Sequence, residues 1–313
     1  MSTLAIVAAE PGRVARGIGL ALLAYAAFST ADALLKLSSA GFSVFQIAFV
    51  MAFFAMLPVL ATTIGRGGLR SVLPRNVKLV AARGILAAAC GVLAWNAFAV
   101  LPMAEVYALL FAAPMLVTAL SAILLGEAVG WRRWSATVVG FIGVIVMIDP
   151  RFSGFGLGHL MAAAAAVAGA SSFVILKKIG ATEKSAAMLF TVLFWLMAVS
   201  LPPAVAQWLW PSAAELGIMA VAGLLMGVGQ AGLVFATREA PAVVVAPFQY
   251  SQMIWAVVFG LVVFGDVPTL NLFIGLAIVV AAGLFIVYRE TVRAKPVTVG
   301  GGRGEVPARI ARL

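Results

Sequence analysis

Between residues 17 and 288 the chain alternates ten apolar runs with short polar joints. Nearly every run is long enough, at about 1.5 Å per helical residue, to cross a hydrocarbon core about 30 Å thick. The pattern predicts helices over 17–37, 44–63, 79–101, 104–125, 134–149, 157–178, 185–206, 213–237, 241–264 and 269–288. The fifth is short as delimited and reaches back into the turn at 131–133. Pro74, Pro102, Pro150, Pro211 and Pro241 fall in or beside joints, where a missing N–H costs least.

Composition turns these helices into membrane spans. Hydrophobic residues make up 64% of the 313 and charged residues 10%, against roughly 25% charged in a soluble domain. Ten spans of about 20 residues leave room only for short loops and tails. The fold class is therefore all-α integral membrane, with ten transmembrane helices. Glu10 and Pro11 interrupt the first 16 residues, so no cleaved signal peptide is expected and the first span serves as the targeting signal.

The positive charges orient the spans. Arg13 and Arg16 precede the first, and Arg66, Arg70, Arg75, Lys78 and Arg83 surround the second joint. Arg132 and Arg133, then Lys177, Lys178 and Lys184, then Arg238, mark every second joint thereafter, and six more lie from Arg289 onward. Of the 21 Lys and Arg, only Lys36 and Arg151 fall elsewhere. By the positive-inside rule both termini are cytoplasmic. Trp131 and Trp134 at one interface, and Trp208 and Trp210 at the other, fit an aromatic belt. The net charge of +10 lies at helix ends and not in one aromatic-laced patch, which argues against nucleic acid. A single cysteine, Cys90, and a single histidine, His159, leave no basis for an intrachain disulfide or a Cys/His metal site. No cofactor, metal or catalytic residue is expected. Residues 1–16 read as a cytoplasmic segment, and 291–313 as a disordered basic tail.

The chain reads as one unit written twice. The fourth helix ends Leu124-Leu125-Gly126-Glu127 and the ninth ends Val263-Phe264-Gly265-Asp266. Each is followed by a joint and a closing helix, Gly140-Phe141-Ile142-Gly143-Val144 in one half and Gly275-Leu276-Ala277-Ile278-Val279 in the other. The halves are 17–150 and 155–290. Five spans per half force the second copy to insert upside down, so the prediction is two inverted five-helix repeats with a substrate site between them near mid-membrane. Glu127 and Asp266 would cap joints or pair with nearby Arg, or else meet substrate.

Charges within the bilayer mark candidate chemistry, since each costs at least about 2.5–3.5 kcal/mol to insert. Asp32 lies deep in the first span, and Lys36 follows one turn later on the same face. Two readings stand: Asp32 binds a cation or a coupling proton with Lys36 tuning it, or the two neutralise each other. Glu105 sits at the mouth of the fourth span, solvated or near substrate. Uncharged polar and aromatic residues at membrane depth complete the candidate cavity: Trp95, Asn96, Tyr107, Ser172, Gln230, Gln249, Tyr250 and Trp255, with Gln252 beside them. They either bond between helices or line a cavity, where flat rings could stack on a heteroaromatic ligand. The run Gly227-Val228-Gly229-Gln230-Ala231-Gly232 matches a dinucleotide fingerprint, but no strand precedes it. Its Gly223/Gly227 spacing reads as helix packing.

Leu125-Gly126-Glu127-Ala128-Val129-Gly130-Trp131-Arg132-Arg133-Trp134 and the glycines at 140 and 143 resemble the EamA-type drug/metabolite transporter superfamily. So do Ala246-Pro247-Phe248-Gln249-Tyr250 and Phe264-Gly265-Asp266-Val267-Pro268. The likeness spans about 17–290. Within that superfamily the chain is similar to the branch with bacterial S-adenosylmethionine uptake and riboflavin transporters, whose first helix usually carries an acid four residues before a lysine, as Asp32 and Lys36 do. That branch often has an arginine soon after the position of Gln46. Here the stretch reads Ala48-Phe49-Val50-Met51-Ala52. The resemblance implies a multi-pass protein of the bacterial inner membrane, monomer or homodimer, that moves a small organic metabolite by secondary active, alternating-access transport. An exporter of amino acids, other metabolites or drugs is the alternative direction. A channel or receptor, and an intramembrane enzyme, are the other classes. The enzyme lacks a His pair, an aspartate pair or a Ser–His site.

Overall fold

The computed structural model describes residues 11–67, 72–126, 129–148, 156–179, 182–240 and 242–293, and is helical in all its regular structure. The helices are α1 (Pro11–Ser38), α2 (Val44–Gly67), α3 (Val77–Val100), α4 (Met103–Leu125), α5 (Trp131–Ile148), α6 (Leu157–Ile179), α7 (Ser185–Ala206), α8 (Ala213–Glu239), α9 (Ala246–Phe264) and α10 (Leu270–Arg293). The first nine are long and apolar enough to span a bilayer, and α10 carries an apolar stretch over Leu270–Ile286. The protein is a multi-pass membrane protein. Several helix ends differ from expectation by a few residues. Helix α1 starts at Pro11, inside the segment assigned to 1–16, because proline suits the first helical turn. Helix α10 runs past the apolar residues to Arg293, with no proline before Pro296 to stop it. Glu127, Arg70, Arg151 and the basic tail beyond 293 lie outside the described residues.

Packing follows the repeat. Exchanging the halves turns α1 into α6, α2 into α7, α3 into α8, α4 into α9 and α5 into α10. Under that exchange the extensive α1–α8 contact becomes α3–α6, and α2–α8 becomes α3–α7; all four are present. The α2–α7 and α5–α10 contacts map onto themselves and straddle the axis. Gly126 and Gly265, at matching ends of α4 and α9, both take left-handed backbone, with φ of 66° and 71°. Only glycine adopts this cheaply, and each thereby ends its helix. The architecture is two inverted five-helix repeats.

Small residues set the spacing, since lipid offers no hydrophobic drive between helices and close van der Waals contact must hold them. A Cβ on Gly223 or Gly227 of α8 would lie 2.5 Å from the carbonyl oxygen of Met51 or Ala55 on α2. Gly229 and Gly232 face Phe28 and Ala24 of α1, so the whole glycine run is a packing surface. The stretch where the resembling branch has an arginine belongs to the same interface: Ala48, Met51 and Ala52 are fully buried there.

Polar ties hold the joints. Gln46, fully buried, donates through Nε2 to the Leu209 carbonyl (2.6 Å) and accepts from the Leu209 amide (3.0 Å). At the end where α1 begins, which carries most of the basic residues, Glu183 accepts from the amides of Arg75 (2.9 Å) and Asn76 (2.5 Å). The Arg75 amide, then the Asn76 amide and the nearby Arg75 charge, hold the Glu183 carboxyl below the usual range. A carboxyl depressed on folding stabilises the chain above its ordinary pKa and ceases to as the pH falls through the folded value. Glu183→Gln is therefore expected to lower the melting temperature at about pH 7, and the gap from wild type to close towards about pH 4. Melting curves of the two proteins across that range check it; a gap that does not narrow contradicts it.

Candidate functional site

Both central helices of the two halves are broken where they meet. Pro114 lacks the N–H that would bond the Leu110 carbonyl, and α4 divides into Met103–Leu110 and Ala113–Leu125. In α9 a 3₁₀ segment, Ala246–Ser251, precedes the α-helical Gln252–Phe259 and a π-helical turn, Gly260–Phe264. Irregular backbone at membrane depth is tolerated where it is buried in protein or lines a cavity. Here it lines one. A space of about 590 Å³ lies between α1, α3, α4, α6, α8 and α9. That is the size of a small-molecule site. Phe111 of α4 and Tyr250 of α9, equivalent positions in the repeats, meet ring edge to ring face at 5.1 Å on its wall.

Among the described residues Asp32 is the only acid lining this cavity. Trp95 donates its indole N–H to one carboxylate oxygen (3.0 Å), and the Tyr107 hydroxyl donates to the other (2.6 Å). Gln252 Nε2 donates in turn to the Tyr107 oxygen (3.4 Å), with Ser29 Oγ 3.3 Å away. Among the described residues no Lys, Arg or His is ion-paired with Asp32. Neutral donors orient the carboxylate and leave its charge uncompensated. Around it Phe98 lies 5.1 Å from Tyr107, and Tyr107 stacks on Phe111 at 6.1 Å. A carboxylate framed by aromatic faces suits a cationic ligand carrying a flat ring.

Of the candidates named from sequence, Asp32, Trp95, Tyr107, Gln230, Gln249 and Tyr250 line the cavity together, with Gln252. Four do not. Lys36 does not neutralise Asp32: its ammonium donates to the Leu101 carbonyl (2.5 Å), lies 3.9 Å from Asp266 and sits over the Phe264 ring. A long flexible stem reaches these groups, and an i,i+4 pair worth a few tenths of a kcal/mol cannot hold it back. Asn96 turns back to the Val92 carbonyl of its own helix (2.7 Å). Trp255 stacks on Phe259 on the outer surface, 37% exposed. Ser172 is buried and donates to the Arg83 carbonyl (3.0 Å) beside a neighbouring space. Glu105 is not simply solvated, since it lies 3.2 Å from Nε2 of the buried His159.

Phe28, Phe98, Phe111, Phe173 and Thr118 also lie on the cavity wall, and nothing in the sequence distinguishes them from ordinary packing residues. Arg83, one of the basic residues around the second joint in sequence, is half-buried within α3. The Pro114 break was the one available signal for the Phe111 region.

Two ties lie at the end opposite the basic one. Lys36, the Leu101 carbonyl, Phe264 and Asp266 join the ends of α1, α3 and α9, and Glu105 with His159 joins α4 to α6. Tyr250 is seated against Gly283 of α10, where a Cβ would land on its hydroxyl. Gly283→Ala is expected to push the Tyr250 ring into the cavity. It should raise the half-saturating concentration of transport several-fold at unchanged expression, by analogy with the cost of small overpacking. Transport kinetics in cells check this, and unchanged kinetics would mean that the ring is not at the site.

Residues 15–149 match the EamA-like transporter family. The chain is 30% identical over 277 residues to an S-adenosylmethionine uptake transporter of Rickettsia prowazekii, covering 88% of this chain and 93% of that one. It is 31% identical over 303 residues to a riboflavin transporter of Rhizobium johnstonii, covering 92% and 96%. A solved crystal structure, 19% identical, superposes with a TM-score of 0.64 over 90% of this chain and 99% of that one, which supports the fold.

Proposed function

The chain belongs to the EamA-like transporter family, and from that premise we propose that it imports a cationic metabolite bearing a flat ring, S-adenosylmethionine foremost. The observation that carries this reading is the Asp32 carboxylate, held by Trp95 and Tyr107 among aromatic faces with no cation paired to it among the described residues. A sulfonium or ammonium group would supply the missing positive charge, and the rings would take the heterocycle. The similarity to S-adenosylmethionine uptake transporters supports the same substrate. Riboflavin is the second reading, favoured by the riboflavin transporter matched over most of both chains. It is neutral, so it would meet Asp32 through hydrogen bonds from its hydroxyls or ring N–H and not through a positive charge.

The transport step is alternating access. The halves 17–150 and 155–290 rock about the cavity, in the bacterial inner membrane, with the basic end and both termini cytoplasmic. A proton and the substrate's cation would compete for Asp32, so the proton exchanges with substrate there and does not drive its uptake. The working unit is a monomer or homodimer. Saturable uptake of labelled S-adenosylmethionine into cells expressing the chain, competed by unlabelled substrate more than by riboflavin, is the expected result. Uptake equal to empty vector removes this substrate and turns attention to export.

In this scheme the Lys36–Asp266 contact closes the outer mouth. Lys36→Met in a background lacking Cys90 is expected to speed labelling of a cysteine placed at Phe98 by an impermeant thiol reagent from outside. The exchange Lys36→Asp with Asp266→Lys is expected to restore protection. Labelling that is equally slow in all three would show that the contact is no gate.

A further inference from the structure

Gly169, Phe173 and Gln230 form one border of the cavity at Asp32. The same three residues line a second space of about 330 Å³, nearer the basic end of the bundle, between α3, α6 and α7. Arg83, Cys90 and Ser172 face it. Arg83 Nη1 donates to the Met188 carbonyl of α7 (2.9 Å), which anchors the guanidinium. Its Nε is buried and has no hydrogen-bond partner among the described residues, and no carboxylate among them pairs with it. With Nη1 engaged, Nε on the other edge of the guanidinium is left without an acceptor among the described residues. That edge grips a carboxylate in two parallel bonds. A buried cationic N–H without an acceptor is costly, and an arriving carboxylate removes the cost.

Asp32 and Arg83 thus present opposite charges to two adjoining spaces. Trp95, which holds Asp32, and Arg83 lie twelve residues apart on α3, or about 18 Å.

Resting on the cation reading of Asp32 above, we infer that Arg83 forms a second, carboxylate-binding station on the inner part of the path. The transported molecule is then a zwitterion, its cation met at Asp32 and its carboxylate at Arg83. This assigns Arg83 to substrate contact rather than to membrane orientation alone, and gives the chain an acid-binding cation despite the absence of one in Ala48–Ala52 of α2.

The test titrates the purified full chain with S-adenosylmethionine, its decarboxylated analogue and riboflavin, and reads thermal stabilisation. The wild type is expected to bind S-adenosylmethionine roughly ten- to a hundredfold more tightly than the decarboxylated analogue, the range for a hydrogen-bonded charge. Arg83→Gln is expected to shrink that ratio to within about threefold while keeping its affinity for the analogue, and Arg83→Lys to retain part of it. Equal binding of the two compounds by the wild type would overturn the Arg83 station and leave the S-adenosylmethionine reading standing. Stabilisation by riboflavin alone, or by none of the three, would overturn both. Should Arg83→Gln fail to fold, the wild-type ratio still decides.

Discussion

Asp32→Asn is expected to reach the membrane in wild-type amounts and to lose about thirtyfold or more of its uptake. The substitution nearly preserves shape. The asparagine carbonyl can still accept from the Trp95 indole, and its amide can donate to the Tyr107 oxygen, so the hydrogen-bonded frame around the site survives. What disappears is the charge. Removing one partner of a desolvated, hydrogen-bonded charge pair costs about 2–5 kcal/mol, and each 1.4 kcal/mol is a factor of ten. The same change removes a charge that costs at least about 2.5–3.5 kcal/mol to hold in the bilayer. The variant should therefore be at least as heat-stable as the wild type while failing to transport. That opposition separates a functional carboxylate from a structural one. Substrate uptake with parallel melting curves on the same preparations makes the measurement. Full uptake, or a clear loss of stability, would remove Asp32 from substrate binding.

The double substitution Gly223→Val with Gly227→Val should abolish the folded protein. These glycines lie one turn apart on α8, and their added Cβ atoms would stand 2.5 Å from the backbone oxygens of Met51 and Ala55. Backbone cannot rotate out of the way as a side chain would, so α2 and α8 must separate. Overpacking costs about 1–3 kcal/mol at each site. Helix α8 also packs along α1 through Gly229 and Gly232, so its displacement carries to the helix bearing Asp32. Size-exclusion profiles of detergent extracts should show aggregate in place of a monodisperse peak, with the Ala/Ala variant intermediate. A monodisperse Val/Val protein melting with the wild type would contradict the α2–α8 packing.

Membrane insertion, the helix count to within a few residues, and the inverted repeat could all be read from the chain. Each rests on local and one-dimensional quantities: the free energy of moving a run of apolar residues out of water, and the recurrence of Leu-Gly-Glu and Phe-Gly-Asp at matching helix ends. A family resemblance carried by the same joints pointed to transport of a metabolite. The glycine run at 223–232 was legible as packing because it lacked the strand that a dinucleotide site requires.

The site itself was decided by tertiary structure. Asp32 and Lys36 share a helix face, yet Lys36 is drawn to Leu101 and Asp266, groups distant in sequence whose attraction outweighs a neighbour one turn away. Trp255 and Tyr250 are five residues apart on one span, and only Tyr250 faces the cavity. The 3₁₀ turn at Ala246–Ser251 advances three residues per turn and rotates the faces that follow, which a period of 3.6 cannot foresee. Arg83 carries the same charge as its neighbours at the joint and differs only in having α6 and α7 packed around it. Partition between water and lipid acts on each segment alone and is written in the sequence. The partners of a buried charge depend on which helices meet, and are set only once the two halves have packed.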